Sequence, residues 1–275
     1  MSITAKTKIC MVIGDPVNHS LSPQLHNAGY KALGIDNEYI FVGCRVTSEN
    51  LSDFMKGVRT MNIRGISCTI PHKISIMQYL EEIDDTAKKI GAVNTIVNES
   101  GKLKGYNTDW EGIVIPIEKI TSLDGKTVAL IGAGGAAHGA AFGVTQKGAK
   151  LQIYNRTPEK GLEITRQFGG ESFGLDEIEK IKNADIIINV TSVGLSPNEN
   201  ETPLPKEYIS ANQVIFDIIY TPYETRLLKD AKEQGATIIH GTEMFLQQGI
   251  EQFKLYTEHD APVDAMRQAL LNTMN

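Results

Sequence analysis

Short apolar runs alternate with longer amphipathic stretches along the first third of the chain. Apolar runs of this length, bounded by turn residues, predict buried strands, and the stretches between them predict helices. The predicted strands lie at residues 9–13, 38–42, 65–70 and 93–97. Such alternation is typical of the α/β class of folds.

One helix in this region has well-marked ends. Ser22 and Pro23 precede the periodic stretch 24–33, and Gly34 follows it. Serine is a common N-cap, proline suits the first helical position, and glycine often ends a helix because it tolerates a left-handed backbone. The sequence therefore predicts a helix over 24–33 with Ser22 as its cap.

The second half of the chain predicts a doubly wound parallel sheet. A helical stretch at 111–120 and a turn precede apolar runs at 127–131, 150–154, 185–190, 214–219 and 237–240. Strands separated by helical or turn-rich sequence are typical of parallel sheets covered by helices. The tail from residue 243 has apolar residues at helical spacing, and Pro262 begins a last helical stretch.

Composition and charge exclude several classes of protein. The 275 residues include 41% hydrophobic and 22% charged residues, as in ordinary globular proteins. A net charge of −6 gives no general basic surface for nucleic acid, and no apolar stretch reaches the ~18 residues of a membrane span. Neither the three cysteines nor the six histidines show metal-site spacing. We expect a reduced, cytoplasmic protein without a metal.

A glycine-rich segment follows the predicted strand 127–131. It consists of Gly132, Ala133, Gly134, Gly135, Ala136 and Ala137. In the dinucleotide fingerprint the first glycine allows a tight turn and the second lets the backbone approach a pyrophosphate at the helix start. Because this segment lies between a strand and an alanine-rich stretch, it predicts a dinucleotide site.

The end of the next predicted strand indicates which dinucleotide binds. A site that prefers NAD has an acidic residue about 20 residues after the glycines, but this chain has Asn155, Arg156 and Thr157 there. The Arg156 guanidinium suits a 2′-phosphate, Thr157 adds a hydroxyl, and Lys160 adds a second charge one turn later. The sequence therefore predicts NADP as the cofactor.

Lys73 follows the strand 65–70 in the segment that ends Thr69-Ile70-Pro71-His72-Lys73. The carboxyl ends of strands in open α/β sheets form binding crevices, and a lysine there can donate a proton. A lone lysine at such a place is more often an ordinary surface residue. Its neighbours along the chain decide between these interpretations.

Several ordered motifs together resemble the shikimate dehydrogenase family. They lie at residues 14–27, 65–73, 91–95, 105–109, 155–157, 189–194, 217–222 and 241–248. The resemblance implies two α/β domains: an N-terminal substrate-binding catalytic domain at 1–110 and a Rossmann-like, doubly wound NADP-binding domain at 111–242. It also implies that terminal helices at 243–275 pack back on the first domain.

The resemblance further implies the roles of individual residues. Lys73 and Asp109 are expected to form the catalytic pair, with Asp109 also on the substrate. The substrate carboxylate is expected on Ser20 and Ser22, its hydroxyls on Thr69, Asn94 and Gln248, and Tyr220 beside substrate and nicotinamide. Cofactor contacts are expected from Gly132, Ala133, Gly134, Gly135, Ala136, Asn155, Arg156, Thr157, Lys160, Thr191, Ile218, Gly241 and Met244.

The chain departs from the family pattern at three positions. Ser67 stands where many members have asparagine, His72 where phenylalanine is common, and Lys160 where arginine is common. Ser67 changes the hydrogen bonding expected in the pocket, and Lys160 keeps the charge but loses the planar fork of arginine. Activity on quinate or with NAD therefore stays open.

Three alternatives to an NADP-dependent shikimate dehydrogenase follow. A broader quinate/shikimate dehydrogenase shares the same motifs. A methylenetetrahydrofolate-type dehydrogenase accounts for the glycine segment but not for Ser20, Ser22 and the 107–109 motif. A non-catalytic NADP sensor would share the fold, although the presence of Lys73 and Asp109 favours an enzyme. A monomer and a homodimer are equally compatible with the sequence.

Overall fold

The computed structural model describes residues 3–274, and these fall into two units. The first unit combines the chain up to Thr108 with Gln248–Thr273, and the second comprises chiefly Asp109–Gln247. The two boundaries between the units, after Thr108 and after Gln247, lie a few residues from the expected boundaries at 110 and 242. The second division falls inside a long helix, where no turn or proline marks it.

A six-stranded mixed sheet forms the first unit. Its strands are β1 (Lys8–Gly14), β2 (Tyr39–Arg45), β3 (Gly65–Cys68), β4 (Glu82–Ile83), β5 (Thr95–Glu99) and β6 (Lys102–Tyr106), in the spatial order β2-β1-β3-β5-β6-β4. β1 runs parallel to β2 and β3, whereas β5 is antiparallel to β3 and β6. The predicted strands are present, each with shifted ends.

Two strands of this sheet escaped the sequence analysis. β4 has only two residues, and β6 is rich in lysine and ends in the 105–109 motif, which resembles a loop. β6 forms because Ser100 and Gly101 both adopt positive φ, of 55° and 92°, as a tight hairpin turn requires. That turn brings β6 against β5 along five residue pairs.

The helices of the first unit cover both faces of its sheet. They are α1 (Ser22–Ala32), α2 (Leu51–Thr60) and α3 (Asp85–Ile90), with a 3₁₀ turn at Ser75–Tyr79. The predicted cap is wrong: Ser22 is the first helical residue, and the N-cap residue is Leu21, without a side-chain cap. The Ser22 hydroxyl is therefore not used to cap α1.

The second unit contains a six-stranded sheet that is parallel throughout. Its elements are α4 (Asp109–Glu118), β7 (Thr127–Ile131), α5 (Gly135–Gln146), β8 (Lys150–Tyr154), α6 (Pro158–Phe168), β9 (Glu171–Phe173), β10 (Ile186–Asn189), β11 (Val214–Asp217), α7 (Arg226–Glu233) and β12 (Thr237–Ile239). The spatial order β12-β11-β10-β7-β8-β9 is that of a doubly wound dinucleotide-binding sheet, as predicted. The three-residue β9 was missed.

Two helices end the chain, α8 (Gly241–Thr257) and α9 (Val263–Asn272). Within the first unit, α8 and α9 pack on α1 at Gly29. A Cβ at Gly29 would meet the Phe253 ring at 2.6 Å and Met266 at 3.3 Å. The absence of a side chain at this position lets the three helices approach, and this contact fixes the part of α8 that carries Gln248.

Candidate functional site

Main-chain hydrogen bonds bring the predicted substrate residues of the first unit together. The Cys68 nitrogen donates to the Asn94 oxygen at 2.7 Å, and the Val93 nitrogen donates to the Lys73 oxygen at 2.8 Å. The segment that carries Thr69 and Lys73 therefore lies beside Asn94. Residues 74–92 form the turns and short elements that close this contact.

Thr69 is held by a close approach of two backbones. Its nitrogen donates to the Ile13 oxygen at 2.9 Å, and the Asp15 nitrogen donates to the Ile70 oxygen at 2.9 Å. A Cβ at Gly14 would lie 2.5 Å from the Thr69 methyl group. Gly14 is therefore required where β1 passes Thr69, which explains a glycine at the start of the 14–27 motif.

Ser20 and Ser22 lie side by side before α1. The Ser20 hydroxyl donates to the Ser22 hydroxyl at 3.2 Å and accepts from the Ser22 nitrogen at 3.3 Å. Ser22 is buried, whereas Ser20 is partly exposed. Two hydroxyls at one helix start are suited to an anionic group such as a carboxylate.

Ser20 also lines a cavity of about 220 Å³ between α1 and the β1–β2 pair. The other polar residues of its wall are Asn18, Gln24 and Arg45, and Arg45 pairs with Asp15 at 2.7 Å. Thr69, Lys73, Asn94 and Gln248 are not among the lining residues. The candidate substrate site therefore centres on those four residues and not on this cavity.

Asn94 is buried, and the chain itself sets the orientation of its amide. Its Oδ1 accepts from the Thr108 nitrogen at 2.8 Å, and its Nδ2 donates to the Thr108 hydroxyl at 3.0 Å. The Thr108 hydroxyl also donates to the main-chain oxygen of Gln248 at 3.2 Å. A backbone N–H can only donate, so it fixes which end of the Asn94 amide is the oxygen.

Lys73 and Asp109 have different surroundings. Lys73 is partly buried and precedes the 3₁₀ turn at Ser75–Tyr79. The neighbouring His72 is fully buried, and its Nε2 lies 2.7 Å from the Val46 oxygen. Asp109 is 4% exposed and opens α4, where the helix dipole favours a negative charge. His72, one of the three departures from the family pattern, therefore has a structural role through its burial and its contact with Val46.

In the second unit, Gly132 ends β7 in a conformation that favours glycine. Its φ is 114°, and a Cβ there would lie 2.7 Å from the Thr191 methyl group. Its nitrogen donates to the Tyr154 oxygen at 2.8 Å. The absence of a side chain at Gly132 thus permits both the turn after β7 and the approach of Thr191. Gly132 and Thr191, two of the expected cofactor residues, therefore lie close together.

The start of α5 is open to an anion. Gly134 is the N-cap residue without a side-chain cap, and a Cβ built on it would meet nothing within 4 Å. Ala137 is buried against the core of this unit. The first turn of α5 contains no acidic residue. This geometry fits a pyrophosphate held by backbone N–H groups.

The segment after β8 presents its polar groups to solvent. Arg156, Thr157 and Lys160 are exposed, and Asn155 is fixed by its own amide, which donates to the Thr157 oxygen at 2.7 Å. Thr157 is the N-cap residue of α6 but makes no side-chain cap. An exposed arginine and a hydroxyl not used as a cap fit the predicted 2′-phosphate site.

A buried network joins the ends of β10 and β11. Asp217 Oδ1 accepts from Asn189 Nδ2 at 3.0 Å and from the Ile219 nitrogen at 3.1 Å, and its Oδ2 accepts from the Thr225 hydroxyl at 2.7 Å. Asn189 Oδ1 accepts from the Thr191 hydroxyl at 2.7 Å. The network therefore fixes Thr191 and the segment that carries Ile218.

The sequence analysis assigned no role to Asp217, although it quoted the 217–222 motif. A carboxylate directly after an apolar strand was the available signal. Burial raises the pKa of Asp217 to about 6, against the hydrogen bonds from Thr225, Ile219 and Asn189, which lower it. Asp217 is thus a buried group that titrates close to neutral pH.

The expected nicotinamide side of the second unit is built on another glycine. A Cβ at Gly241 would lie 2.3 Å from the Ile219 oxygen, so only glycine lets α8 begin against this segment. Tyr220 packs on Phe245 with 4.6 Å between ring centroids. Burial raises the pKa of Tyr220 to about 12, which keeps its hydroxyl protonated. Met244 is buried in the core of the same unit.

Among residues 3–274, no group of three or more His, Cys, Asp or Glu side chains has the arrangement of a metal site. No helix in the same range has the length and apolar character to cross a membrane.

Three family models match the chain in order. The model of the shikimate dehydrogenase substrate binding domain matches residues 12–96. The model of shikimate / quinate 5-dehydrogenase matches residues 116–219, and that of the shikimate 5'-dehydrogenase C-terminal domain matches residues 241–271. The matched ranges contain Lys73, Arg156 and Gln248 but not Asp109.

Individual proteins are similar over the full length. The NADP(+) shikimate dehydrogenase of Methanothermobacter thermautotrophicus is 40% identical over 99% of both chains. A crystal structure of a shikimate dehydrogenase in complex with NADP+ is 39% identical, with a TM-score of 0.94 over 100% of this chain and 98% of that one. A quinate dehydrogenase from Corynebacterium glutamicum in complex with NAD is 25% identical, with a TM-score of 0.87 over 97% and 99%.

Proposed function

We propose that this chain, which belongs to the shikimate dehydrogenase family, reduces 3-dehydroshikimate to shikimate reversibly with NADPH, using Lys73 and Asp109 as the catalytic pair. It is an NADP-dependent oxidoreductase acting on a CH–OH group, in the route to chorismate and the aromatic amino acids. One observation carries the residue assignment: Val93 bonds the Lys73 backbone, and the adjacent Asn94 bonds Thr108, directly before Asp109.

The residues of the first unit bind and orient the substrate in this proposal. Ser20 and Ser22 hold the carboxylate, because their hydroxyls are paired at one helix start. Thr69, Asn94 and Gln248 hydrogen-bond the ring hydroxyls. Fixed amide and hydroxyl groups reject analogues that lack a hydroxyl, because an unmatched polar group in the protein is costly.

The chemical step needs a proton where the ketone becomes an alkoxide. The Lys73 ammonium donates that proton and stabilises the developing negative charge. In this proposal Asp109, the first residue of α4, orients the ammonium by charge pairing. Bound NADPH supplies the hydride. Tyr220, whose hydroxyl burial keeps protonated, is proposed as a further donor to the substrate.

The second unit has a donor set that fits NADP. The backbone at Gly132–Ala136 receives the pyrophosphate, and Asn155, Arg156, Thr157 and Lys160 receive the adenosine 2′-phosphate. Thr191, Ile218, Gly241 and Met244 line the nicotinamide side. Support comes from the open N-cap of α5, the exposed Arg156 and the network that fixes Thr191.

NADPH formation by the purified protein tests this function. The reaction is followed with NADP or NAD as oxidant and with shikimate or quinate as substrate. We expect rapid turnover with NADP and shikimate, and slow turnover in the other three combinations. Binding of NADP without any turnover would contradict the proposal and favour a sensor.

A broader quinate/shikimate dehydrogenase is the second candidate, because Ser67 departs from the family pattern inside the substrate half. A relative with this fold is a quinate dehydrogenase. Comparable kcat/KM for quinate and shikimate would establish this alternative. A ratio strongly in favour of shikimate would exclude it.

The partners proposed are small molecules, with no nucleic acid and no membrane. We further propose a cytoplasmic enzyme that acts as a monomer or a homodimer. Sedimentation velocity at the assay concentration decides between these two states. A larger assembly would contradict both.

A further inference from the structure

Gln252 is a fully buried glutamine on α8 with no role in the site described above. Its side-chain Nε2 lies 3.1 Å from the Ser67 hydroxyl and 3.0 Å from the Thr95 hydroxyl. Both partners belong to the sheet of the first unit, at the carboxyl end of β3 and the start of β5. Gln252 thus joins α8 to the two strands that flank Asn94.

The hydrogen bond to Thr95 has a direction. An amide nitrogen only donates, so the Thr95 hydroxyl accepts from Gln252 and its own hydrogen is left to donate. That hydrogen reaches Asn94 Oδ1, 2.8 Å away. If the Gln252 amide were reversed, its oxygen would compete for the Thr95 hydrogen and Asn94 would lose this donor.

The chain of donors continues from Asn94 back to α8. Asn94 Nδ2 donates to the Thr108 hydroxyl, and that hydroxyl donates to the Gln248 oxygen. The series therefore begins at the Gln252 side chain and ends at the Gln248 main chain, one helical turn earlier. Asn94, the Gln248 main chain and Thr108, the residue before Asp109, are all members of this one series.

We propose that Gln252 is a positioning residue for substrate binding, which acts through Thr95 to supply a second donor to Asn94 Oδ1, beside the Thr108 nitrogen, and so holds the Asn94 amide in place. The proposal rests on the function proposed above, because it takes Asn94 and Gln248 as the groups that hydrogen-bond the substrate. Gln252 itself contacts no substrate in this proposal. Its effect is on substrate affinity and not on cofactor affinity.

His26 lies beside the amide oxygen of Gln252. A hydrogen bond with Gln252 favours the charged imidazole, but burial dominates and lowers the pKa of His26 to about 3. Among residues 3–274, neither ring nitrogen of His26 makes a regular hydrogen bond. The Oε1 of Gln252 also makes none. The ring is stacked on Phe41, 4.3 Å between centroids.

Ser67 gains a function from this arrangement. Its hydroxyl accepts from the same Nε2 as Thr95, so Ser67 and Thr95 together bind one amide. Ser67 is one of the three positions at which the chain departs from the family pattern. The structure couples that departure to Gln252, 185 residues away along the chain.

The first test replaces the donor by an apolar side chain of similar length, Gln252→Met. We expect KM for shikimate to rise roughly tenfold, because Thr95 loses the donor that directs its hydrogen and Asn94 Oδ1 then loses one of its two donors. KM for NADP should change less than about twofold. An unchanged KM for shikimate, or an equal rise in both KM values, would overturn the proposal.

A matched control separates positioning from general stability. Gln213 is also buried, and its Nε2 donates to the main-chain oxygen of Ala184 at 3.0 Å in the second unit. Gln213→Met should lower the melting temperature to a similar degree without raising KM for shikimate. If both variants raise that KM equally, Gln252 has only a structural role.

The second test reverses the hydrogen bond with almost no change in shape. In Gln252→Glu a protonated carboxyl donates to Thr95, whereas a carboxylate only accepts and turns the Thr95 hydrogen away from Asn94. KM for shikimate should therefore rise with pH in this variant more steeply than in the wild type. Parallel pH profiles would contradict the directional role.

Shikimate binding, measured by calorimetry in the presence of NADP, keeps this test independent of turnover. Wild-type protein that binds shikimate but does not turn over contradicts the proposed function alone. Wild-type and Gln252→Met proteins with the same shikimate affinity contradict the positioning role alone. A roughly tenfold weaker variant supports it whether or not turnover is measured.

Discussion

The substrate half and the cofactor half of this protein use different means to hold their polar groups. In the first unit, buried amides and hydroxyls bond one another in series, from Gln252 through Asn94 to Gln248. In the second unit, glycines leave the backbone accessible, and Arg156, the proposed partner of the 2′-phosphate, is exposed. Recognition thus depends on side-chain geometry in one unit and on main-chain geometry in the other.

The difference shows how each half responds to change. A buried series fails as a whole when one donor is lost, because each hydroxyl takes its direction from its neighbour. A backbone cradle has no such series, and a substitution there acts mainly through the space it fills. The predictions below test this contrast, from the largest expected effect to the smallest.

Removal of the proposed acid should have the largest effect. We expect Lys73→Ala to lower kcat roughly 10²- to 10⁴-fold, because the developing alkoxide loses its proton donor. The Kd for NADP, from fluorescence titration, should stay nearly unchanged. Lys102→Ala, at an exposed lysine of the same unit, is the control. Wild-type kcat in Lys73→Ala would exclude the assignment.

The Asp217 network should make stability depend on pH. The pKa of Asp217 is raised from 3.8 to about 6, so the carboxyl stabilises the fold below its unfolded pKa. This contribution is lost as pH rises through about 6. Between about pH 4 and pH 7, the free energy of unfolding of the wild type should fall by roughly 3 kcal/mol relative to Asp217→Asn. Denaturant titrations that give parallel pH profiles would refute this.

Charge at the proposed 2′-phosphate site should decide cofactor preference. We expect Arg156→Ala to raise KM for NADP roughly 10- to 100-fold and to leave KM for NAD nearly unchanged, because a charge-assisted contact to the phosphate is lost. Arg166→Ala, at an exposed arginine near the other end of α6, should change neither value. Equal losses for both cofactors in Arg156→Ala would exclude a phosphate contact.

Two glycines of the same segment should behave differently. Gly132→Ala should lower the free energy of unfolding by about 1–3 kcal/mol, because alanine disfavours a φ of 114° and its Cβ would meet Thr191. Gly134→Ala should leave stability nearly unchanged but weaken NADP binding, since its Cβ enters the space before α5. Thermal unfolding and NADP titration of both variants measure this. A stability loss in Gly134→Ala equal to that in Gly132→Ala would contradict the distinction.

The sequence predicted the second unit more fully than the first. The glycine segment, β7, β8 and Arg156 are separated by few residues, so their spacing alone indicates the site. The parallel strand order also follows from the alternation of elements. The short β9 was missed because three residues carry no periodicity.

The first unit was less predictable because its contacts join distant positions. The roles of Ser20, Asn94 and Gln248 came from a family resemblance, and none followed from spacing. Ser22 was predicted to cap α1 because serine suits an N-cap. In the structure it lies inside the helix. β6 was missed because its lysines mask a strand that forms by pairing with β5 and β4.

The sequence by itself determined the α/β class and the doubly wound sheet and predicted the place of the nucleotide, because these depend on local periodicity and short spacings. Only the tertiary structure showed that Gln252 bonds Thr95, 157 residues away, and that Asp217 bonds Thr225 and Asn189 in a buried network. Such contacts form when helices and strands pack, and a glutamine or an aspartate has the same letter whether it meets solvent or a buried hydroxyl.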